Sequence, residues 1–354
     1  MACKIIHLVL GKANPNRMNG VNKVAHNHAS HLFELGYDVE IWGITKNVTT
    51  EVFPRKFPTR LFRAQPFYRD LDPNLSYAIS RLPRSTIFHI HGAFNSIALD
   101  KSKWLKKLYI QRYEKTILRD AKKVHFLGQS EFDHVSNIVK LDNKIIIPNG
   151  QNFEELIFDY HKMNRKHSPV IGFCGRLDIY YKGLDLLIDG FASYLLKGGK
   201  GELWLIGDGP DRPILEEQVS AHGIVDRVHF MGARYGKDKL NRIANMDLFC
   251  HPSRSEGSPT AVLEAAALTK PLLLSTATNV GELVEKKNCG IHLHETNPSS
   301  IAKALEAFDL VFESGSHLAM GEAAKEMVME EFNWLSIASK LAKVYEEGSL
   351  VKAK

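Results

Sequence analysis

The segment Ser253–Ala265 carries two glutamates whose spacing suits ligand binding. It reads S-R-S-E-G-S-P-T-A-V-L-E-A, so seven residues separate Glu256 from Glu264. Ser258 is a favourable N-cap and Pro259 suits the first helical position, which predicts a helix that begins between the two carboxylates. The free N–H groups at a helix start can bind an anion. A carboxylate on each side of an anion site fits a ligand with central phosphates and hydroxyls at both ends, such as a nucleotide sugar.

The flanking sequence predicts the elements that position these glutamates. Phe249–Ser253 is typical of a buried strand that runs into a turn, and Lys270–Ser275 is typical of the next strand. The segment between them would therefore lie at the carboxyl end of a strand, which is the edge where open α/β sheets bind their ligands. Strands and helices alternate along the chain, so we expect parallel sheets with helices on both faces.

Four motifs resemble those of a known family of enzymes. They are Glu256 with Glu264 as E-x7-E, Gly172–Leu177 with Lys182 and Gly183 as G-x-x-G-R-L…K-G, His89–Gly92 as H-x-H-G, and Pro148–Gly150 as P-N-G. The chain resembles the family 4 glycosyltransferases of the retaining, GT-B-fold type found in bacterial surface-polysaccharide synthesis. The resemblance is specific in the second half of the chain and looser in the first.

The resemblance implies an α/β protein of the GT-B class, with two Rossmann-like domains and a cleft between them. A chain of 354 residues also exceeds one typical domain. We expect an acceptor-side domain over residues 1–165, a nucleotide-sugar domain over residues 166–333, and a C-terminal helix over residues 334–354 that crosses back to the first domain. The implied activity is the transfer of a sugar from a UDP- or GDP-sugar to a hydroxyl of a glycan or lipid-linked glycan.

The candidate cations follow the first predicted strand of the second domain. Arg176 can hold a diphosphate bidentately and Lys182 adds a point charge, so both would stabilise the leaving phosphate without a metal. The resemblance implies that Glu264 accepts hydrogen bonds from the ribose hydroxyls and that Glu256 binds hydroxyls of the donor sugar. It implies donor-binding positions at Gly20, Arg176, Lys182, Glu256, Gly257, Ser258, Thr260, Ala261 and Glu264. It implies catalytic positions at Arg176, Lys182, Glu256 and His91.

Several of these elements have a plainer structural interpretation. Gly20 precedes a helix and would face the diphosphate, or it belongs to an ordinary β-to-α turn. His91 would contact the donor sugar or is a structural histidine with satisfied hydrogen bonds. A metal site formed by His89 and His91 is disfavoured because the two alternate on a strand and no third ligand lies nearby. Gly207–Pro210 would contact the nucleotide or only shape the pocket. Ser130 and Glu131 resemble a family element near the acceptor.

The sequence predicts no metal and no cofactor besides the donor. Asp70-Leu71-Asp72 matches the D-x-D metal motif of another glycosyltransferase fold, but it stands in a segment rich in proline and arginine. We interpret it as a surface turn. The four cysteines are scattered without a C-x-x-C pair, which favours a reducing cytoplasm and no structural zinc.

The net charge of +6 is concentrated in one segment. Residues 101–123 hold seven lysines and two arginines against Glu114 and Asp120, with Trp104 and Tyr109 among them. A basic amphipathic helix of this kind could bind an anionic membrane, or it could be a solvated helix that packs on its own domain. We therefore expect a cytoplasmic protein, with peripheral attachment to the inner face of the plasma membrane as one option, and no nucleic-acid partner. No apolar run approaches the ~20 residues that span a bilayer.

Two other functions are compatible with the sequence. A GT-B-fold epimerase of sugar nucleotides would act without an acceptor, although such enzymes use a different set of carboxylates. A binding protein could use the nucleotide-binding scaffold and the basic segment without catalysis, because fold does not guarantee activity.

Overall fold

The structure is a computed structural model that divides into two compact units. It describes residues 4–10, 20–45, 56–64, 72–83, 86–91, 115–137, 139–153, 156, 168–256 and 259–350. The first unit combines Met1–His125, Leu141–Gly150 and Trp334–Lys354, and the second combines Phe126–Lys140 and Gln151–Asn333. The chain thus divides after Gly150 and Asn333, where the predicted boundaries are 165 and 333, and residues 126–140 group with the second unit.

A four-stranded parallel sheet forms the framework of the first unit. Its order is β3-β2-β1-β4, with β1 at Lys4–Leu10, β2 at Asp38–Thr45, β3 at Thr59–Arg63 and β4 at Ile87–His91. A separate pair consists of β5 (Val124–Phe126) and β6 (Lys144–Ile146). The described helices of this unit are α1 (Gly20–Glu34), α2 (Pro73–Ser80), α3 (Lys115–Asp120) and α13 (Trp334–Leu350).

The C-terminal helix α13 packs into the core of the first unit. Its buried residues Ile337 and Leu341 join a cluster that contains Ile5 of β1 and Leu32 of α1. Gly150 lies against the ring of Trp334, where a Cβ atom would come within 2.5 Å of that side chain. Apolar burial therefore joins the last helix to the sheet formed by the start of the chain.

A six-stranded parallel sheet of order β12-β11-β10-β7-β8-β9 forms the framework of the second unit. Its strands are β7 (Val170–Cys174), β8 (Glu202–Ile206), β9 (Val228–Gly232), β10 (Leu248–His251), β11 (Leu272–Ser275) and β12 (Gly290–Leu293). Its helices are α4 (Gln129–Ser136), α5 (Ile179–Lys182), α6 (Leu184–Leu196), α7 (Arg212–Ala221), α8 (Gly236–Ala244), α9 (Thr260–Ala267), α10 (Gly281–Lys286), α11 (Pro298–Glu313) and α12 (His317–Glu331).

Helices cover both faces of this second sheet, as the alternation in the sequence predicts. Successive side chains of a strand point to opposite faces. In β7, accordingly, Ile171 and Phe173 join one buried core while Val170 and Cys174 join the other. A strand buried on both faces reads as a continuous apolar run, which is why the β7 segment is recognisable in the sequence.

One local prediction about the first unit differs from the structure, and a second falls largely outside the described residues. Asp72 is not part of a surface turn: it is buried and caps α2, where its carboxylate accepts hydrogen bonds from the N–H groups of Asn74 (2.9 Å) and Arg63 (2.8 Å). Asp70 lies outside the described residues. The basic segment is described only from residue 115 onward, so the prediction made for residues 101–123 falls largely outside the structure.

None of the described helices is both long enough and apolar enough to cross a membrane.

Candidate functional site

The candidate site lies where the strand order of the second sheet reverses. From β7 the chain moves outward through β8 and β9 and then returns to β10 on the other side of β7. A reversal of this kind opens a crevice at the carboxyl ends of the two strands, which is the usual ligand position in open α/β sheets. The loop after β7 carries Arg176, and the loop after β10 carries Glu256.

Glu256 stands at the centre of a buried polar cluster. Its Oε1 forms an ion pair with Lys182 Nζ, lies 2.7 Å from His251 Nε2 and accepts a hydrogen bond from Ser253 Oγ at 3.2 Å. The Glu256 side chain is 9% exposed and that of Lys182 is 20% exposed. The structure therefore brings together two of the predicted site residues, Lys182 and Glu256, and adds two more groups.

These contacts keep the carboxylate ionised although it is buried. Burial alone would raise the pKa of Glu256, but the hydrogen bonds from His251 and Lys182 and the charge of Lys182 outweigh it and lower the pKa to about 2. Burial also lowers the pKa of His251, which favours the neutral imidazole. Because a carboxylate only accepts hydrogen bonds, the neutral ring must carry its proton on Nε2. The result is a fixed anion that can accept hydrogen bonds from hydroxyl groups of a ligand.

His251 is held by aromatic packing as well as by Glu256. It is the last residue of β10, and its ring stacks on Phe173 with centroids 5.1 Å apart and on Phe249 at 6.1 Å. The sequence pattern indicates this histidine only as part of a strand. Its position is the signal that could have revealed its role, since the last residue of a central strand faces the ligand edge of the sheet.

Lys182 is positioned by a short helix with well-defined ends. Asp178 caps α5 through a hydrogen bond from the N–H of Tyr181 (3.1 Å). Gly183 ends it in the left-handed region with φ +63°, and a Cβ atom there would lie 2.3 Å from the carbonyl oxygen of Pro252. Only glycine allows this approach, which brings the end of α5 against the loop that carries Glu256.

Arg254 fixes the same loop from its other side. Its guanidinium binds both carboxylate oxygens of Asp185 at 2.8 and 2.7 Å and donates to the carbonyl of Ile179 at 2.7 Å. Its backbone N–H donates to the carbonyl of Tyr181 at 2.9 Å. A bidentate pair of this kind restricts orientation as well as distance, so the Glu256 loop is tied to both α5 and α6.

Arg176, unlike Lys182, contacts neither Glu256 nor Glu264 among the described residues. Its side chain is 66% exposed, and its Nη2 lies 3.6 Å from Asp178. The loop itself is well fixed, because Leu177 N–H donates to the carbonyl of Asp208 (3.0 Å) and a Cβ atom at Gly207 would come within 1.8 Å of the Gly175 carbonyl. Of the two interpretations of Gly207–Pro210, shaping the neighbouring loop is the one that these contacts support.

The helix start between the two glutamates is one residue later than predicted. Thr260 is the first residue of α9, and Pro259 is the N-cap because its carbonyl accepts from Val262 N–H at 2.9 Å. The predicted cap Ser258 and its neighbour Gly257 lie outside the described residues. Among the other predicted donor-binding positions, Thr260 is exposed and Ala261 is half-buried.

Glu264 lies in the second turn of α9 and is buried. Lys239 Nζ on α8 is 2.7 Å from its carboxylate, and the Glu264 side chain is 9% exposed. The structure therefore gives each glutamate of the E-x7-E motif its own lysine, Lys182 for Glu256 and Lys239 for Glu264. Nothing in the sequence around Lys239 indicates that pairing.

Asn279 is a further residue that the sequence analysis missed. It follows β11 with φ +62°, and its amide donates to the backbone carbonyl of Glu256 at 3.2 Å while its Oδ1 accepts from Ser130 N–H at 2.9 Å. One side chain thus joins the Glu256 loop to the first turn of α4. Glu131 caps the preceding backbone through Leu127 N–H (2.8 Å), so Ser130 and Glu131 have structural contacts within the second unit.

The two predicted site residues of the first unit are placed only by their backbone. Gly20 is the first residue of α1, and His91 is the last residue of β4. The side chain of His91 lies outside the described part of the structure. The argument against a metal near the H-x-H sequence is wrong in one respect: His89 does have histidine neighbours, His7 and His28, with possible ligand atoms within 4.8 Å of one another.

Comparison with known proteins gives a consistent result. The model of the family described as glycosyl transferases group 1 matches residues 168–308. An alpha-D-kanosaminyltransferase of Streptomyces kanamyceticus is 27% identical over 179 residues, which cover 51% of this chain and 46% of that protein. A component of the human phosphatidylinositol N-acetylglucosaminyltransferase is 25% identical over 373 residues, which cover 95% of this chain and 74% of that protein. The chain spans about half the length of most of the curated relatives that it matches.

Among solved structures, a sucrose-phosphate synthase of Thermosynechococcus elongatus superimposes with a TM-score of 0.72 at 16% identity, over 99% of this chain and 100% of that one. At this identity the similarity concerns the fold alone. Together with the parallel sheets of both units, it confirms the predicted GT-B fold.

Proposed function

We propose that this chain, which belongs to the glycosyl transferases group 1 family, moves a sugar from a nucleoside diphosphate sugar to an acceptor hydroxyl. The observation that carries the proposal is the ionised, buried Glu256 held against Lys182 at the switch point of the second sheet. A fixed anion beside a fixed cation suits a ligand that presents hydroxyls next to phosphates.

Each charged group then has a role in binding the donor. Lys182 and Arg176 would neutralise the diphosphate, whose charge increases as it leaves. Glu256 would accept hydrogen bonds from the transferred sugar, and Glu264 would accept those of the ribose. Lys182 contacts Glu256 in this structure. Its ammonium group has three N–H donors, so it could bind a phosphate and the Glu256 carboxylate together. Arg176 is exposed on a fixed loop, so only its side chain has to move toward the diphosphate.

The finer features of the reaction are also part of the proposal. We expect retention of configuration, with the leaving phosphate oxygen accepting the proton of the acceptor. We also expect the donor to be bound by cations and helix N–H groups without a divalent metal. A glycolipid or growing surface polysaccharide is the acceptor class that we favour, since the human relative is named for N-acetylglucosaminyl transfer to phosphatidylinositol.

The test is a transfer assay with UDP- and GDP-sugars on lipid extracts and glycan acceptors, analysed by mass spectrometry. Wild type should release nucleoside diphosphate and produce a glycosylated acceptor with one donor. Glu256→Gln should lower turnover by two or more orders of magnitude, a scale typical of a fixed electrostatic group. The matched control is Glu306→Gln, because Glu306 pairs with Lys197 (2.7 Å) on the exposed surface.

Three outcomes would contradict the proposal. An altered sugar nucleotide formed without any acceptor would identify an epimerase. Donor binding without turnover on any acceptor would favour a binding protein. Equal turnover of Glu256→Gln and Glu306→Gln would remove Glu256 from the site.

A further inference from the structure

Three histidines converge inside the first unit. They are His7 of β1, His28 of α1 and His89 of β4, and their possible ligand atoms lie within 4.8 Å of one another. His7 is 0% exposed and His28 is 1% exposed. Histidine is seldom buried in groups, because each imidazole brings two polar nitrogens into the core.

The topology explains why these side chains meet. His7 and His89 are direct partners in the register of the parallel strands β1 and β4, so both point to the same face of the sheet. His28 comes from α1, whose buried face joins the same core as β1. The three residues are thus delivered by three separate elements, and none of them is close to the others in the sequence.

A fourth histidine adjoins the group. His125, on β5, has its Nδ1 3.3 Å from Nε2 of His89, and its ring centroid lies 5.3 Å from that of His89 and 6.3 Å from that of His28.

The outer nitrogens of two of these rings have partners that fix their orientation. His89 Nδ1 lies 2.6 Å from the hydroxyl of Tyr345 on α13, and His125 Nε2 lies 2.7 Å from the carbonyl oxygen of Ile147. Because a carbonyl only accepts, His125 carries its proton on Nε2 and directs Nδ1 inward. Metal-binding histidines have this arrangement, with the outer N–H bound to a carbonyl or another polar group.

The distances match a tetrahedral centre. With Zn–N bonds of about 2.0–2.1 Å, neighbouring ligand nitrogens are about 3.4 Å apart and neighbouring ring centroids about 5.2 Å apart. The observed nitrogen separation between His89 and His125 is 3.3 Å. The centroid separations are 5.2 Å for His7–His89, 5.6 Å for His28–His89 and 6.1 Å for His7–His28. Binding one ion would require the more distant rings to move closer together, since the His7–His28 and His28–His125 centroids are 6.1 and 6.3 Å apart.

We propose that His7, His28, His89 and His125 bind one Zn²⁺ ion in the first unit. Imidazole nitrogens suit zinc, and four protein ligands make a closed, structural centre. The ion would join β1, α1, β4 and β5, and through the Tyr345 hydroxyl it would orient the C-terminal helix. The proposal is independent of the reaction proposed for the second unit.

The first experiment measures metal content and coordination of the wild-type chain, produced without a histidine tag. Elemental analysis should give one zinc per chain, and X-ray absorption should show four imidazole ligands at about 2.0–2.1 Å. Co²⁺ exchanged into the protein should give the intense visible bands of a tetrahedral ion. These readouts do not depend on glycosyl transfer. The zinc proposal can therefore fail while the proposed function stands, and the proposed function can fail while the zinc proposal stands.

Variants must separate this centre from a second, surface group. Glu285, His292 and His294 also bring ligand atoms within 4.8 Å of one another, with Glu285 and His294 exposed. His294→Ala is therefore the matched control and should keep one zinc per chain. His125→Ala and His28→Ala should lose most of it and unfold at a lower temperature.

Two results would overturn the proposal: wild type that contains no zinc and takes up none when it is added, or zinc that is lost in His294→Ala but retained in His28→Ala. In either case the buried rings form only a hydrogen-bonded chain between Tyr345 and Ile147. Should the buried variants fail to fold, X-ray absorption on wild type still decides through the number of imidazoles, because the proposed centre has four and the surface group only His292 and His294.

Discussion

Removing the cation beside Glu256 tests the electrostatics of the candidate site directly. In Lys182→Met the side chain keeps its length and apolar stem but loses its charge. Among the described residues, Glu256 then keeps only His251 and Ser253 as hydrogen-bond donors to its carboxylate. Burial, which raises the pKa of Glu256, is no longer outweighed to the same extent, so the pKa should move upward from about 2.

The size of the loss in stability follows from the shift in the pKa of Glu256 in the folded state. A fall in pKa from the ordinary 4.5 to about 2 corresponds to about 3 kcal/mol of folding free energy at neutral pH. Lys182 supplies part of this, so we expect Lys182→Met to lose about 1–3 kcal/mol at pH 7. A carboxylate with a depressed pKa stabilises the fold above its unfolded pKa, and this contribution disappears as the pH falls through the folded pKa. The difference in unfolding free energy between wild type and Lys182→Met should therefore be constant above about pH 5.5 and shrink between pH 4.5 and 2.

Urea unfolding followed by tryptophan fluorescence at pH 7, 5 and 3.5 measures this difference. The matched control is Lys197→Met, which removes a cation from an exposed pair with Glu306, where the two side chains are 53% and 39% exposed. Exposed pairs contribute at most about 1 kcal/mol. The reasoning is refuted if Lys182→Met is no more destabilising than Lys197→Met, or if its effect does not change with pH.

Three further predictions concern the elements around the site. Arg176→Ala should lower turnover tenfold or more with little change in stability, because its side chain is exposed and contacts only Asp178 among the described residues; unchanged turnover would exclude it from the diphosphate site. Gly207→Ala should lower the unfolding midpoint, since its φ is +144° and a Cβ atom would overlap the Gly175 carbonyl; a neutral thermal melt would contradict this. Asn279→Ala should lower turnover more than it lowers the melting temperature, because it releases the backbone of Glu256; kinetic and thermal measurements on the same preparation compare the two.

The second sheet was predictable because its signals are local. Strands buried on both faces appear as short apolar runs, as at Val170–Cys174 and Leu272–Ser275. The turn between β10 and α9 was also predicted, although the cap was misplaced by one residue because proline's carbonyl accepts the first helical bond. Such features depend on a few neighbouring residues, which a single sequence contains.

The contacts that complete the site could not be predicted in this way. Lys239 lies 25 residues from its partner Glu264, and Arg254 lies 69 residues from Asp185. Each pairing depends on how two helices pack on the same sheet, and no spacing rule links them. The buried position of Asp72 was missed for the same reason, since its partner Arg63 belongs to a strand that the sequence did not reveal.

The arrangement of charges in the second unit also limits how a donor could bind there. Both glutamates are ion-paired, yet each lysine is partly exposed, 20% for Lys182 and 24% for Lys239. A lysine with three donors can bind a carboxylate and a phosphate together, so a ligand anion does not have to displace either glutamate. Binding would therefore add a negative charge to a cluster whose carboxylates remain ionised, and the exposed Arg176 supplies the additional cation this requires. On this argument Arg176 would act mainly on the bound diphosphate, whereas Lys182 would act on the resting fold and on the donor. The two substitutions should therefore differ in their effect on stability but agree in their effect on turnover.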